Sequence, residues 1–390
     1  MGAGRSALVP RRAGAVPASR AEGVTTTRRT MAAPLRVGFL DDLARTSQIG
    51  SADPAGTPGP PSPTDMPSWL RLVADEYLAA GRLDREVEIV HSHGLGLPSG
   101  TAAAVERAFA RLVDSDVLLV VGPAIGDNAL VATPLAERYQ VPTINWAGTE
   151  RARGDWMFHL QVGSHEDEGV LLARHLAATG ARRVGVVYDR SPIGRRYLRF
   201  LTAEAELLGL AVTATAGLPP LAEDAEDEVA LVLGTGVDAL VYLGLGASGA
   251  KVARAAADAG WDGPRAMNSA GMFGYQPEHG RAIDGWVYVD MHSDDNTTLA
   301  AFRQRLGVAP ERSLAAAKGY DLGRLAAEGL ARATELTRAG VREGLEQIKW
   351  IPAAEGREGT QLAFGHHDRG ALHGHYLVLR RWRDGRSVQE

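Results

Sequence analysis

Residues 240–260 read LVYLGLGASGAKVARAAADAG: an apolar stretch, three glycines, then a helical pattern. A run of strand length, a glycine turn and an amphipathic helix together make one strand–helix unit of a parallel sheet. Gly244, Gly246 and Gly249 also stand at the GxGxxG spacing of a dinucleotide-binding turn. Such a turn needs an acidic residue about 20 positions on to hold the ribose hydroxyls, and RAMNSAG there has none. A phosphate loop is also incomplete, because Ala250-Lys251-Val252 follows Gly249 where Lys-Ser or Lys-Thr is required. No cofactor is expected. The glycines read instead as a close backbone approach at the carboxyl end of a strand, where open α/β sheets place ligands.

The same unit recurs on both sides. From Leu35, LRVGFL is a buried-strand run, followed by the Pro/Gly-rich loop SADPAGTPGPPSP. Then come WLRLVADEYLAAG (helix), EVEIVHSHG (strand), TAAAVERAFARLV (helix), DVLLVVGP (strand), NALVATPLAERYQ (helix) and VPTINWAG (strand). After a pause at residues 156–160 the alternation restarts with DEGVLLARHLAATG and RRVGVVYDR and runs to PRAMNSA. GWVYVDMH comes next, with helices expected at 297–306 and 313–339 and last strands around TQLAFG and HYLVLRRW. Short buried strands separated by helices of 10–15 residues predict parallel sheets with right-handed crossovers, hence two doubly wound α/β lobes.

Composition narrows the function. The chain has 390 residues, a formal net charge of −5 and no cysteine. Disulfides, thiolate catalysis, cysteine metal sites and a lipid-modified cysteine are thereby ruled out. Lys251, Lys318 and Lys349 are its only lysines and no polybasic tract exists, so nucleic acid is not an expected partner. No apolar run approaches a membrane span, and direct insertion is not expected. Residues 1–34 carry Arg11-Arg12 and Arg28-Arg29 without an apolar core behind them, and read as a disordered tail with no secretory signal, its start misplaced upstream of Met31. That reading gives a cytoplasmic location, or an extracytoplasmic one if the N-terminus is misassigned.

In order and spacing, five segments resemble the type I periplasmic-binding-protein family, in particular its branched-chain amino acid and amide branch, the Leu/Ile/Val-binding-protein-like components of ABC transporters. They are VADEYLAAGRLDREVEIV, VGPAIGDNALVATPLAERYQVPTINWAGTE, GARRVGVVYDRSPIGRRYLRFL, VDALVYLGLGASGAKVARAAADAGW and AAKGYDLGRLAAEGLARA, and the likeness covers about residues 35–385. The resemblance implies two lobes joined by three crossings, near 158–162, 289–294 and 368–374. Residues 35–160 plus 294–370 would form lobe 1, and 161–293 plus 371–390 lobe 2. A small molecule would bind between them, and hinge closure would bury it.

Carried over by position, the resemblance implies ligand contacts from Asp42 at the mouth of the cleft, from Ala124, Ile125 and Gly126, and from the turn Asn145, Trp146, Ala147, Gly148 and Thr149. Thr149 would donate its hydroxyl beside the amides of Ala147 and Gly148, and the Trp146 indole would stack on an apolar ligand group. The second lobe would contribute Ile193, Gly246, Ala247, Ser269 and Ala270. Three positions depart from an amino acid binder: Gly126 where a serine is expected, Ile193 where an aromatic is, and Ala270 where a glutamate would meet the ligand ammonium. An ammonium without a carboxylate in a closed cleft lacks compensation for its desolvation. The ligand expected is accordingly less charged or larger, of amide, aromatic or acid-like type.

Other conspicuous residues have plainer readings. His366, His367, His373 and His375 read as solvated turn histidines, with no metal expected, since zinc needs third and fourth ligands with support. Asp41-Asp42 suits a ligand contact or helix cap better than acid–base work. SHEDEG lacks the HExxH spacing, and its acids are expected to cap a helix. Trp69, Phe109, Trp261 and Trp286 read as core or lobe-packing aromatics. The expected function is a non-enzymatic solute-binding component of an ABC transporter, a monomer or dimer whose partners are the ligand and either a transporter permease or a regulatory protein. A cytosolic amide-type sensor and an α/β enzyme using the cleft are the alternatives. No helix-turn-helix precedes the lobes, so operator binding is not expected.

Overall fold

The computed structural model describes residues 1–2, 33–43, 65–308 and 313–390. Residues 3–32 of the expected N-terminal tail and the Pro/Gly-rich stretch at 51–63 lie outside the described residues. Contacts divide the chain into Met1–Ala33 and Pro34–Glu390, and every described strand and helix belongs to the second unit.

Its first sheet holds β1 (Leu35–Asp41), β2 (Val87–His93), β3 (Leu119–Val121), β4 (Thr143–Asn145) and β5 (Met157–His159). The helices α1 (Met66–Ala79), α2 (Ala102–Asp114) and α3 (Gly126–Tyr139) lie between its first four strands, and the strand order is β2-β1-β3-β4-β5, parallel throughout. Period-two alternation separates its faces: Val37, Phe39 and Leu119 face one core with Leu70 of α1, whereas Leu40 and Val120 face another with Phe109 and Leu112 of α2. Asp65 and Thr101 cap α1 and α2 by accepting the amides of Ser68 and Ala104.

The second sheet repeats the plan. After α4 (Asp167–Ala178) come β6 (Arg183–Asp189), α5 (Pro192–Leu207), β7 (Ala211–Leu218), α6 (Glu226–Leu233), β8 (Ala239–Leu243), α7 (Gly249–Asp258), β9 (Arg265–Met267), α8 (Pro277–Ala282) and β10 (Val287–Asp290). Its parallel part runs β7-β6-β8-β9-β10, the same permutation as the first sheet. The stretch 240–260 is thus β8, its turn and α7. The molecule is an α/β protein of two doubly wound lobes.

Beyond β10 the chain returns to the first core through α9 (Thr297–Leu306), α10 (Ser313–Arg332), α11 (Arg338–Glu346) and a small sheet of β11 (Ile351–Pro352), β12 (Gln361–Leu362) and β13 (Leu372–His373). The single helix expected over 313–339 is two helices. The chain breaks after Arg332, and Thr337 starts the second by accepting the Gly340 amide. Finally β14 (Val378–Arg383) and β15 (Arg386–Gln389) add to the second sheet antiparallel to β10 and to each other. Asp384 and Gly385 between them have φ of 51° and 71°, the two left-handed residues of a tight hairpin.

The segments joining the lobes are laced together. His159 bridges Gly370, the buried Gln161 exchanges hydrogen bonds with the amide and carbonyl of Leu372, and Gly163 N–H lies 3.0 Å from the Met291 sulfur.

Candidate functional site

In a sheet of this strand order the crevice opens where the chain reverses direction, between the first and third strands in sequence. Both lobes close that crevice with a buried aspartate. Asp42, just past β1, accepts the amides of Ala124 (2.8 Å) and Ile125 (3.1 Å) and Nδ2 of Asn128 (2.8 Å). Asp189, at the end of β6, accepts the Leu245 amide and the Tyr242 hydroxyl, each at 2.8 Å. Burial raises both carboxyls above their usual range, that of Asp189 to about 6.

This pairing settles what the glycine turn does. A Cβ on Gly244 would overlap an Asp189 carboxylate oxygen, and one on Gly246, whose φ is +108°, would strike the Phe273 ring at 2.5 Å. The turn closes around the protein's own side chains. Its Leu245 amide, which a phosphate would need, is already given to a carboxylate.

The two lobes meet at the carboxyl ends of their sheets, through residues just past the first crossing. His165 N–H donates to Gly148 O at 2.6 Å, and the imidazole lies so close that a Cβ on Gly148 would be 2.8 Å from Nε2 and one on Gly126 3.0 Å from Cε1. Its other nitrogen, Nδ1, accepts from Arg196 Nη1 at 3.1 Å, and its ring meets the Tyr197 ring edge-on at 4.7 Å. Burial, helped by the Arg196 charge, takes the imidazole down to about 3, so it stays neutral, with the proton on Nε2. Arg196 also reaches from α5 to Asp127 on α3, 3.6 Å away. Both side chains are largely buried, which makes this a charged link between lobes.

Glu168 stands behind the seam, fully buried. It accepts from the amides of Ser164 (2.7 Å) and Ser269 (2.5 Å) and lies 3.1 Å from the hydroxyls of both Tyr197 and Ser269. Burial pushes its carboxyl up to about 7 against the pull of those donors. The SHEDEG acids are expected from sequence to cap α4. Glu168 does reach back to the Ser164 amide at the helix start, yet it also ties that start to the loop after β9. It, His165 and Arg196 are residues of the seam that the sequence does not reveal. Their roles depend on partners distant in sequence, Glu168 on Ser269 and His165 on Arg196, and no local pattern carries that information.

The other expected contacts divide between the seam and the cores. Thr149 is fully buried, with its methyl 3.4 Å from where a Cβ on Gly126 would lie. Asn145 turns inward, donating to Ala152 O and Phe158 O and accepting the Ala147 amide. That amide is therefore engaged. Trp146 stacks on Phe39 at 5.7 Å within the first core. Ile193 and Ala270 are packed in the two cores of the second lobe, because the first turns of α5 and of the 3-10 helix Ser269–Tyr275 lie flat against the sheet. Gly246 is buried and Ala247 partly exposed on the glycine turn, and Ser269 is held by Glu168. Of the histidines at 366–375, His366 pairs with Glu346 and His373 lies 3.1 Å from Ala363 O.

At the edge of the seam is a cavity of about 340 Å³, lined by Arg151 from the first lobe and Pro192, Arg195, Arg196 and Arg199 from α5. Pockets of this size accommodate small molecules.

Two doubly wound lobes, three linking segments and a cavity on the seam define a bilobal α/β protein with an interlobe cleft. The periplasmic binding protein family matches residues 46–383, and the chain belongs to that family. Among solved structures it is similar to a type 1 periplasmic binding protein from Bordetella pertussis Tohama I (18% identity, TM-score 0.75, covering 92% of this chain and 100% of that one). It is also similar to the leucine-binding protein LivK of Thermotoga maritima (16%, 0.73, 91% and 97%) and to LivJ of Streptococcus pneumoniae, solved with isoleucine (18%, 0.71, 91% and 98%). Comparison with curated proteins gives no match.

Proposed function

We propose that this chain is a solute-binding protein that closes its two lobes over a small polar molecule without altering it, and that it delivers that molecule to an ABC transporter permease. The observation that carries the reading is the seam itself. The carboxyl ends of two like sheets meet there, joined by the buried Asp127–Arg196 ion pair and the His165 imidazole, with a cavity opening between Arg151 of one lobe and α5 of the other. Several solved proteins of this fold are described as amino acid binders or transporter components. An acid–base role for Asp41-Asp42 fits the geometry poorly, since Asp42 is buried and holds three donors with its two oxygens.

The contacts proposed for the ligand are Gly126, Gly148 and Thr149 on one lobe and the first turns of α5 on the other, with Arg151 at the rim. Solution scattering and calorimetry against amino acids, amides and aromatic acids test this. A bound compound should reduce the radius of gyration and be recovered unchanged. Turnover of that compound, or binding with no change in shape, would end the reading.

A further inference from the structure

The cavity on the seam has one chemical character. Four of its five lining residues are arginines, three of them exposed, and Arg151 faces the other three across the lobes. Arg196 is answered by Asp127 at 3.6 Å. Among the described residues, no ion pair involves Arg151, Arg195 or Arg199; Arg199 lies over the Phe200 ring at 4.6 Å. The acidic groups nearby do not balance them. Asp127 is the counter-ion of Arg196 and feels Arg195 as well, Glu150 turns to Arg153 at 3.7 Å, and Glu166 stands near Arg196 with one oxygen buried and unpartnered. Four guanidinium groups line the cavity, and none of its five lining residues is acidic.

Two further features bear on what would occupy it. The cavity lies at the start of α5, whose positive dipole end adds to the field, and guanidinium forks match the paired oxygens of carboxylates and phosphates. Glu168 deeper in the seam already serves four donors, and position 270 is alanine.

We propose that the solute is a small dianion, two carboxylates or one phosphate ester, gripped between Arg151 of the first lobe and Arg195 and Arg199 of the second. This rests on the solute-binding function proposed for the seam and sharpens it. Because the grip spans the lobes, the anion itself draws them together.

Isothermal calorimetry on the full chain in low-salt buffer tests this with succinate, glycerol 3-phosphate and leucine, repeated on Arg151→Gln and on the double variant Arg195→Gln/Arg199→Gln. These arginines are exposed, and thermal melts should show both variants folded. The expected result is binding of succinate or glycerol 3-phosphate, whichever it is fixing the anion type, and none of leucine. Both variants should weaken binding about ten-fold or more, and added salt should weaken it in the parent. Leucine binding without either dianion would overturn the ligand class while leaving the solute-binding function in place. Dianion binding undiminished in both variants would overturn the site, and so would failure of all three probes to bind. Dianion binding lost in the variants but with no compaction by scattering would keep the anion site and reject lobe closure.

Discussion

Replacing Glu168 by glutamine should change how stability depends on pH. In the folded protein burial holds this carboxyl at about 7 against a reference of 4.5. Below pH 4.5 the folded and unfolded chains both carry the proton, and above 7 neither does. Between those limits only the folded chain keeps it, so the contribution of Glu168 to stability is fully present below 4.5 and is lost as pH rises through 7. At about 1.4 kcal/mol per pH unit the loss amounts to about 3 kcal/mol. Glutamine cannot titrate. It can accept from the Ser164 amide or from the Ser269 amide but not from both with one oxygen, which adds a pH-independent cost of about 1–3 kcal/mol. Urea unfolding of parent and Glu168→Gln at pH 4.5, 5.5, 6.5 and 7.5 separates the two effects. The parent's advantage should shrink by about 3 kcal/mol from the lowest pH to the highest, through the urea midpoint at constant m. A gap that stays constant within about 1 kcal/mol would contradict this, because it would mean that the four donors keep Glu168 ionised throughout.

Asp42→Ala strands two backbone amides and the Asn128 amide, and should cost roughly 3 kcal/mol or more in denaturant unfolding, with Asp42→Asn costing less. Gly148→Ala drives a Cβ to 2.8 Å from the His165 ring; it should destabilise by about 1–3 kcal/mol, and adding His165→Ala should recover most of the loss. A double-mutant cycle on Asp127→Ala and Arg196→Ala should give a coupling of about 1 kcal/mol and a larger radius in scattering for either single variant, whereas zero coupling would remove this pair as an interlobe link. Gln161→Ala should cost about 2 kcal/mol in calorimetry, because Leu372 loses both partners where two linking segments run side by side.

The lobes are legible in the sequence because buried parallel strands write themselves as short apolar runs between amphipathic helices. The bounds of α9 match the expected 297–306 to the residue. What the sequence hides depends on distant partners. Glu168 meets Ser269 a hundred residues away, and the inward turn of Trp146 depends on Phe39. One hidden element does have a local signal: Asp384-Gly385 between apolar-polar alternations is a strong hairpin pattern, and it marks β14–β15. The Thr337 cap is a second such signal, masked because the apolar period continues across it.

The final hairpin also governs how the molecule is made. β10 pairs on one side with β9, but its other edge stays bare until β14 emerges from the ribosome about ninety residues later, and β15 covers β14 later still. During that interval the nascent lobe exposes a strand edge able to pair with neighbouring chains, and Trp286 and Tyr288 wait for Trp382 to cover them. A nascent chain stalled just short of residue 378 should therefore be the form that chaperones grip most tightly.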